Sequence, residues 1–173
     1  MKLLFIHGAG GWDDDQALAG ELSAEAGAIL VMPHLPDEDM AYEAWAQPVR
    51  EALARLGNDA IAVGHSFGAS ILLKVLAESP ATHVRGVLLA MPDWGPQGWD
   101  VPEYAHEGPP PRTELTLHHC RDDDVVPFEH LARHAARLPD AQVVEHATGG
   151  HQFVGRAAAI MQAAAAGPPT MRW

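Results

Sequence analysis

The pentapeptide Gly64-His65-Ser66-Phe67-Gly68 decides how this chain of 173 residues can fold, and it matches the pattern G-x-S-x-G. The run before it, residues 59–63, is short and apolar and predicts a buried strand, while residues 69–78 predict a helix. A serine on such a sharp strand-to-helix turn is held in a strained backbone conformation with its hydroxyl exposed. The two glycines leave the room that this turn needs.

Short apolar runs alternate with amphipathic stretches along the chain. The apolar runs are rich in Val, Leu and Ile, as expected for strands that are buried on both faces. We therefore predict a three-layer α/β/α sandwich, in which helices cover a mostly parallel sheet of about six strands. The predicted strands are 2–7, 28–32, 60–63, 86–91, 114–119 and 142–146. The predicted helices are 14–26, 42–56, 67–78, 128–137 and 154–165.

The length fits one domain, residues 1–166, followed by a flexible C-terminal tail, 167–173, and it leaves no room for a full cap domain. Residues 92–112 break the alternation, because they contain six prolines, Trp94 and Trp99 but no periodicity. Connections of about 20 residues are often lids or binding loops, so this stretch is a candidate lid. The alternative is a surface loop whose tryptophans pack on the body of the domain.

Charge and composition exclude several classes of function. The net charge of -12 disfavours nucleic acid and anionic membrane surfaces as partners. No apolar run approaches the roughly 20 residues of a membrane-spanning helix, and the start of the chain is too soon interrupted to be a signal peptide. The single cysteine, Cys120, excludes an internal disulfide and fits a reducing compartment. We expect a soluble, cytoplasmic protein of undetermined oligomeric state.

A serine nucleophile needs a base and an acid that orients the base, and in folds of this type the acid and then a histidine follow the serine. Three adjacent aspartates, Asp122, Asp123 and Asp124, come after the fifth predicted strand. His151 lies in a glycine-flanked turn after the last strand. Loops past strand ends collect at one edge of an open α/β sheet, so Ser66, an aspartate and His151 are predicted to converge there.

Residues 1–165 resemble the α/β-hydrolase family. Asp123-Asp124-Val125-Val126-Pro127 resembles its acid loop, which implies Asp123 as the acid, with Asp122 as the alternative. Gly149-Gly150-His151-Gln152-Phe153 resembles its histidine loop, which implies His151 as the base. His7-Gly8-Ala9-Gly10-Gly11-Trp12 resembles its first-strand loop. The resemblance implies an oxyanion hole formed by the backbone amides of Phe67 and Ala9, with Gly10 as the next candidate.

Within that family the chain is most similar to small, capless serine hydrolases of the retinoblastoma-binding-protein-like (YdeN-like) type. The matching features are the short length, Trp12, Met32-Pro33 at the end of the second strand, and Ala44-Trp45 in the second helix. The resemblance implies a minimal α/β-hydrolase fold and a carboxylesterase-like activity on a small-molecule acyl ester, with thioesters and amides as further candidates. It implies no cofactor and no metal.

Several polar residues near the predicted site have structural explanations. Asp13 to Asp15 precede or begin the first predicted helix, where caps and the helix dipole favour acidic residues. His7 is better explained as an organiser of the first loop, and His65 as a packing residue of the serine turn, than as catalytic groups. The residues predicted to line the substrate pocket are Gly8, Trp12, His65, Trp94 and Trp99.

Other functions fit the same residues. A hydrolase fold can serve as a non-catalytic protein-interaction module, although such a module need not retain a triad. A perhydrolase or cofactor-free haloperoxidase-like enzyme would use the same triad. A metal site is disfavoured, because His118 and His119, beside Cys120, point to opposite sides of a strand.

Overall fold

The computed structural model describes residues 1–79 and 83–167, and a parallel sheet forms its centre. The strands are β1 (Lys2–Ile6), β2 (Ile29–Val31), β3 (Ala60–His65), β4 (Val84–Leu89), β5 (Leu115–Cys120) and β6 (Gln142–His146). The helices are α1 (Gln16–Ala26), α2 (Tyr42–Ala54), α3 (Phe67–Glu78), α4 (His130–Arg137) and α5 (Ala157–Ala166). The strand order is β2-β1-β3-β4-β5-β6, with every neighbouring pair parallel. None of the helices in the described ranges is long and apolar enough to cross a membrane.

Helices cover both faces of this sheet, which confirms the predicted three-layer sandwich. Helices α2, α3 and α4 pack on one face around fully buried Trp45, and α1 and α5 pack on the other around Ile160. Strand side chains alternate between the two cores, so that Leu4 contributes to the first and Phe5 to the second. Burial on both faces explains why the strands are continuous apolar runs.

The order of elements agrees with the prediction, and the differences lie at the ends of elements. Helix α5 begins at Ala157 rather than at 154, because Phe153 (φ 53°) and Gly155 (φ 73°) have left-handed conformations that a helix cannot contain. Helix α4 begins at His130 rather than at 128, after a turn closed by the bond from its amide to the Pro127 carbonyl. The predicted flexible tail falls, from residue 168 onward, outside the described residues.

The segment 92–112 folds back onto the helices of the first face. The indole nitrogen of Trp94 donates to Oγ of Ser70 in α3 at 2.7 Å. The ammonium group of Lys74, also in α3, donates to the Glu103 carbonyl at 2.6 Å. These contacts anchor both the beginning and the middle of the segment against α3.

Two buried histidines predict that the fold loses stability in acid. Burial lowers the pKa of His118 in β5 to about 3, and nearby His146, at 3.0 Å, acts in the same direction. Burial also lowers the pKa of His134 in α4 to about 4, although its hydrogen bond to the Met91 carbonyl opposes the shift. Because unfolded histidines titrate near pH ~6.5, the unfolded chain binds more protons between about pH 6.5 and 4. The free energy of unfolding therefore falls as the pH falls through that window.

We expect denaturant unfolding to show a loss of ~2–4 kcal/mol of stability between about pH 7.5 and about pH 5. The variant His134→Phe removes one of the groups whose pKa burial lowers, so its loss over the same interval should be smaller than that of the wild type. An equal loss in the wild type and in this variant would contradict the assignment.

Candidate active site

Ser66 lies on the sharp turn between β3 and α3, in a backbone conformation that side chains rarely adopt. Its φ is 54° and its ψ is -123°, a strain of order 1–3 kcal/mol. Neighbouring structure holds the turn, because the Ser66 amide donates to the Leu89 carbonyl in β4 at 2.8 Å and its carbonyl accepts from the Ala69 amide at 3.0 Å. The turn therefore presents the serine at the carboxyl edge of the sheet.

The glycines on either side of Ser66 allow its turn to pack tightly. A Cβ added to Gly64 would lie 2.5 Å from Cα of Ala69. A Cβ added to Gly68 would collide with the backbone carbonyl oxygens of Ile6 and His7 at the end of β1. Both positions thus require glycine, as the sequence predicted.

The variant Gly68→Ala is expected to lose about 1–3 kcal/mol of stability or more, because backbone rather than a flexible side chain opposes the new methyl group. The matched control is Gly20→Ala in α1, where an added Cβ meets nothing within 4 Å. The control should gain about 0.5–1 kcal/mol, because alanine has the higher helix propensity. Thermal unfolding of both variants checks the opposite signs, and equal shifts would argue against tight packing at the turn.

Asp123 and His151 form a pair. Nδ1 of His151 lies 2.9 Å from Oδ2 of Asp123, whose side chain is fully buried. Nε2 of His119 lies 3.1 Å from the same oxygen, and the amides of Val125 and Val126 donate to the other one. Burial alone would raise the pKa of Asp123, but the hydrogen bonds from His119, His151 and Val125 outweigh it and hold that pKa far below its usual range. The ionised carboxylate fixes the proton on Nδ1, which leaves Nε2 of His151 as the basic nitrogen.

Asp122, the alternative acid, has other partners. Its Oδ1 accepts from the Gly150 amide at 2.8 Å, and its Oδ2 accepts from the Gly149 amide at 3.3 Å. It therefore holds the backbone of the histidine loop, while Asp123 contacts the imidazole.

Contacts in the first loop distinguish between Ala9 and Gly10, the two candidate oxyanion donors of that loop. The Gly10 amide donates to the carboxylate of Asp37 at 2.7 Å, so it is already engaged. Ala9 therefore remains the candidate oxyanion donor from the first loop. The other candidate donor, Phe67, is the first residue of α3, where backbone amides have no acceptor within the helix. Buried His7 accepts from the Leu35 amide at 2.9 Å and thereby ties this loop to the segment after β2.

The structure corrects two expectations about Asp15 and His65. Asp15 occupies the N-cap position of α1, but its side chain makes no capping bond. Its Oδ2 instead lies 2.9 Å from the Gly8 amide and 2.9 Å from Nδ1 of His65. The side chain of His65 is only 1% exposed, and its Nε2 donates to the His151 carbonyl at 2.7 Å. His65 therefore faces the protein interior rather than a substrate pocket, and Gly8 is buried as well.

The three tryptophans among the pocket candidates belong to two separate aromatic groups. Trp12 in the first loop stacks on His34, with ring centroids 4.4 Å apart. Trp94 packs edge-on against Phe67 at 5.9 Å and against the partly exposed Trp99 at 5.2 Å. Trp94 also lines a cavity that extends along α3 away from Ser66, together with Ser70, Leu73, Tyr104, His134 and Arg137.

Cys120 packs beneath the histidine loop. Burial, with a contribution from Asp122 and Asp123, raises the pKa of its thiol to about 12, so the reactive thiolate is disfavoured. A Cβ on Gly149 would lie 2.9 Å from its sulfur. Across residues 1–79 and 83–167, no three His, Cys, Asp or Glu side chains converge as metal ligands would.

Sequence reasoning missed several contacts at this site. The contact of His119 with Asp123 had a weak signal, since alternation in β5 places His119 on the face opposite His118. The contact of Asp37 with the first loop and the pairing of Asp15 with His65 join residues 27 and 50 positions apart. No local pattern marks such contacts.

Comparison with known proteins identifies the family and the fold. The family model described as serine hydrolase matches residues 16–156. No curated protein sequence gives a significant match. Among solved structures, the ydeN gene product from B. subtilis is similar with a TM-score of 0.72 and 17% identity, over 96% of this chain and 100% of that chain.

Two further structures extend the likeness. Alpha/beta hydrolase domain-containing protein 10 from mouse has a TM-score of 0.72 and 16% identity, over 92% of this chain and 86% of that chain. A pyrethroid hydrolase from Sphingobium faniae has a TM-score of 0.68 and 18% identity, over 96% and 98%. At these identities the likeness shows the fold, and it confirms the predicted similarity to capless hydrolases of the YdeN type.

Proposed function

Because this chain belongs to the serine hydrolase family and is a hydrolase of the α/β-hydrolase superfamily, we propose that it cleaves carboxylic esters through an acyl-enzyme on Ser66. The observation that carries the proposal is the bond of 2.9 Å between Asp123 and Nδ1 of His151, at the same sheet edge as the strained Ser66 turn. Thioesters and amides are alternative substrates of the same chemistry.

Each residue of the triad has one task in the proposed mechanism. Oγ of Ser66 attacks the acyl carbonyl while Nε2 of His151 takes the serine proton. His151 then delivers that proton to the leaving group, and a water molecule hydrolyses the acyl-enzyme by the reverse sequence of proton transfers. Asp123 keeps the imidazole in the required tautomer and stabilises the imidazolium that forms.

The backbone amides of Phe67 and Ala9 are proposed to bind the oxyanion. Phe67 begins α3, where the helix dipole favours negative charge. The engagement of the Gly10 amide by Asp37 supports Ala9 as the second donor. Losing one such donor typically raises the barrier by ~2.7–4 kcal/mol.

The acyl group is proposed to lie between Trp12 on one side and Trp94 and Trp99 on the other, with residues 92–112 as the roof. The exposed edge of Trp99 supports this placement, since a ring with 41% exposure can bury apolar substrate surface. The anchoring of Trp94 to Ser70 supports a site with one fixed wall. Such an open site favours small or extended acyl groups.

Fluorophosphonate labelling tests the proposal directly. Intact mass should show one adduct on the wild type and none on Ser66→Ala, because only an activated serine attacks the reagent. The matched control is Ser23→Ala, a buried serine in α1 that lies outside the proposed site and should leave the labelling of Ser66 unchanged. Absence of an adduct on folded wild-type protein would contradict the proposal and favour a non-catalytic interaction module. With labelling established, turnover that depends on peroxide would separate a perhydrolase from an esterase.

A further inference from the structure

A second acid–histidine pair, Asp15 and His65, lies beneath the candidate catalytic residues. Both side chains are 1% exposed, and Oδ2 of Asp15 is 2.9 Å from Nδ1 of His65. We propose that this pair positions the first loop and the histidine loop relative to Ser66, so that the histidine base and the oxyanion donors lie at the distances from the serine that the reaction needs. The inference rests on the proposed function, since it assigns the pair to the same reaction.

Both ring nitrogens of His65 have a hydrogen-bond partner. Nδ1 lies 2.9 Å from Oδ2 of Asp15, at the start of α1, and Nε2 donates to the His151 carbonyl oxygen at 2.7 Å. The imidazole ring is therefore held from both sides, and it joins the start of α1 to the histidine loop.

The surroundings of Asp15 favour its ionised carboxylate. Burial raises the pKa of its carboxyl, but the hydrogen bond and charge of His65 and the hydrogen bond from the Gly8 amide outweigh burial and hold it below the usual value. A buried polar pair of this kind is weak support for stability, because apolar residues of similar volume often serve equally well. Stability therefore does not explain why these two polar residues are buried here, whereas the segments that they connect do.

The pair connects all three parts of the proposed machinery. Asp15 holds the Gly8 amide, one residue before the candidate oxyanion donor Ala9. A Cβ on Gly8 would lie 3.4 Å from Cβ of Ser66, so this loop directly adjoins the nucleophile. His65 directly precedes Ser66 in the chain and holds the backbone of His151.

His65 and Asp123 act on different parts of His151. Asp123 bonds Nδ1 and sets the orientation of the ring, whereas His65 bonds the main-chain carbonyl and sets where the ring is attached. Both are required to place Nε2 within reach of Ser66. A displacement of about 1 Å at such a site can cost about 10²-fold in rate.

The variant His65→Phe tests this positioning, because it keeps an aromatic ring and removes both hydrogen bonds. With para-nitrophenyl acetate, kcat should fall by about 10- to 100-fold while KM stays within about two-fold, since the groups that bind the substrate remain. The variant His65→Gln retains an amide donor toward the His151 carbonyl and should recover part of the loss. The variant Asp15→Asn should fall in the same direction as His65→Phe.

The matched control is His134→Phe in α4. His134 is also buried and also donates to a main-chain carbonyl, that of Met91, but it belongs to no part of the proposed machinery. This control should lose thermal stability and keep its kcat. A merely structural role for His65 would give the same result in both variants.

Amide hydrogen exchange gives a readout that does not depend on turnover. In His65→Phe the amides of Gly8 and of residues 149–153 should exchange faster than in the wild type, while those of α4 should not. Unchanged exchange in these loops, or a kcat equal to that of His134→Phe, would overturn the inference. If labelling of wild-type Ser66 succeeds and either of these results appears, the positioning role alone fails. Absence of labelling on the wild type would overturn the proposed function, and the positioning role with it.

Discussion

The variant His151→Ala is expected to lower kcat by about 10⁴- to 10⁶-fold while leaving the fold intact. The loss is large because Ser66 then has no base to take its proton. The fold should survive because the buried carboxylate of Asp123 keeps its hydrogen bonds from His119 and from the amides of Val125 and Val126. The loop backbone also keeps its bond to His65, which uses the main-chain carbonyl of residue 151.

Steady-state hydrolysis of a para-nitrophenyl ester measures the loss of kcat, and thermal melting of the same sample followed by circular dichroism shows whether the fold is retained. The control is His83→Ala, an exposed histidine directly before β4 and so at the opposite edge of the sheet. That variant should retain its activity. Near wild-type turnover in His151→Ala would mean that another group serves as the base.

The second large effect is expected from Asp123→Asn, at about 10³- to 10⁴-fold in kcat. An asparagine NH₂ group would face Nδ1 of His151, which can then only accept, so the ring carries its proton on Nε2. A nitrogen that already holds a proton cannot take one from Ser66. The variant should stay folded, because the side-chain carbonyl can still accept from the amides of Val125 and Val126.

The neighbouring variant Asp122→Asn is the matched comparison, since it makes the same chemical change one residue away. Its remaining carbonyl oxygen can still accept from the Gly150 amide, so kcat should stay within about tenfold of the wild type. Single-turnover kinetics on both variants rank the two carboxylates. A larger loss in Asp122→Asn than in Asp123→Asn would move the acid by one residue.

The region around Ser66 was predictable because a local pattern, G-x-S-x-G between a strand and a helix, marks it in the sequence. Helix α3 spans Phe67–Glu78 as expected, and strand β3 leads directly into Ser66. Gly64 is required by backbone only a few residues away, at Ala69, whereas Gly68 is required by the end of β1, which packs against the turn. His151 was found by the same kind of signal, a glycine-flanked turn after the last strand.

Which of the three adjacent aspartates contacts the histidine was harder to predict from the sequence. Residues 122–124 share one turn, and their order alone does not say which side chain faces the histidine. In the structure the amides of Val125 and Val126 and the ring of His119 turn Asp123 inward, while Asp122 faces the amides of the histidine loop. Resemblance to a family pointed to Asp123, but the residues themselves left the alternatives open.

The sequence by itself determined the layered α/β fold, the serine turn and the histidine turn, because periodicity and turn sterics act over a few residues. Only the tertiary structure decided that Asp15 leaves the cap of α1 for His65, 50 residues away, and that His65 reaches the His151 carbonyl, 86 residues away. These contacts depend on the parallel sheet, which brings the carboxyl ends of β1, β3 and β6 to one edge. Distances between residues so remote in the chain follow from the packing of the whole sheet, which no local pattern encodes.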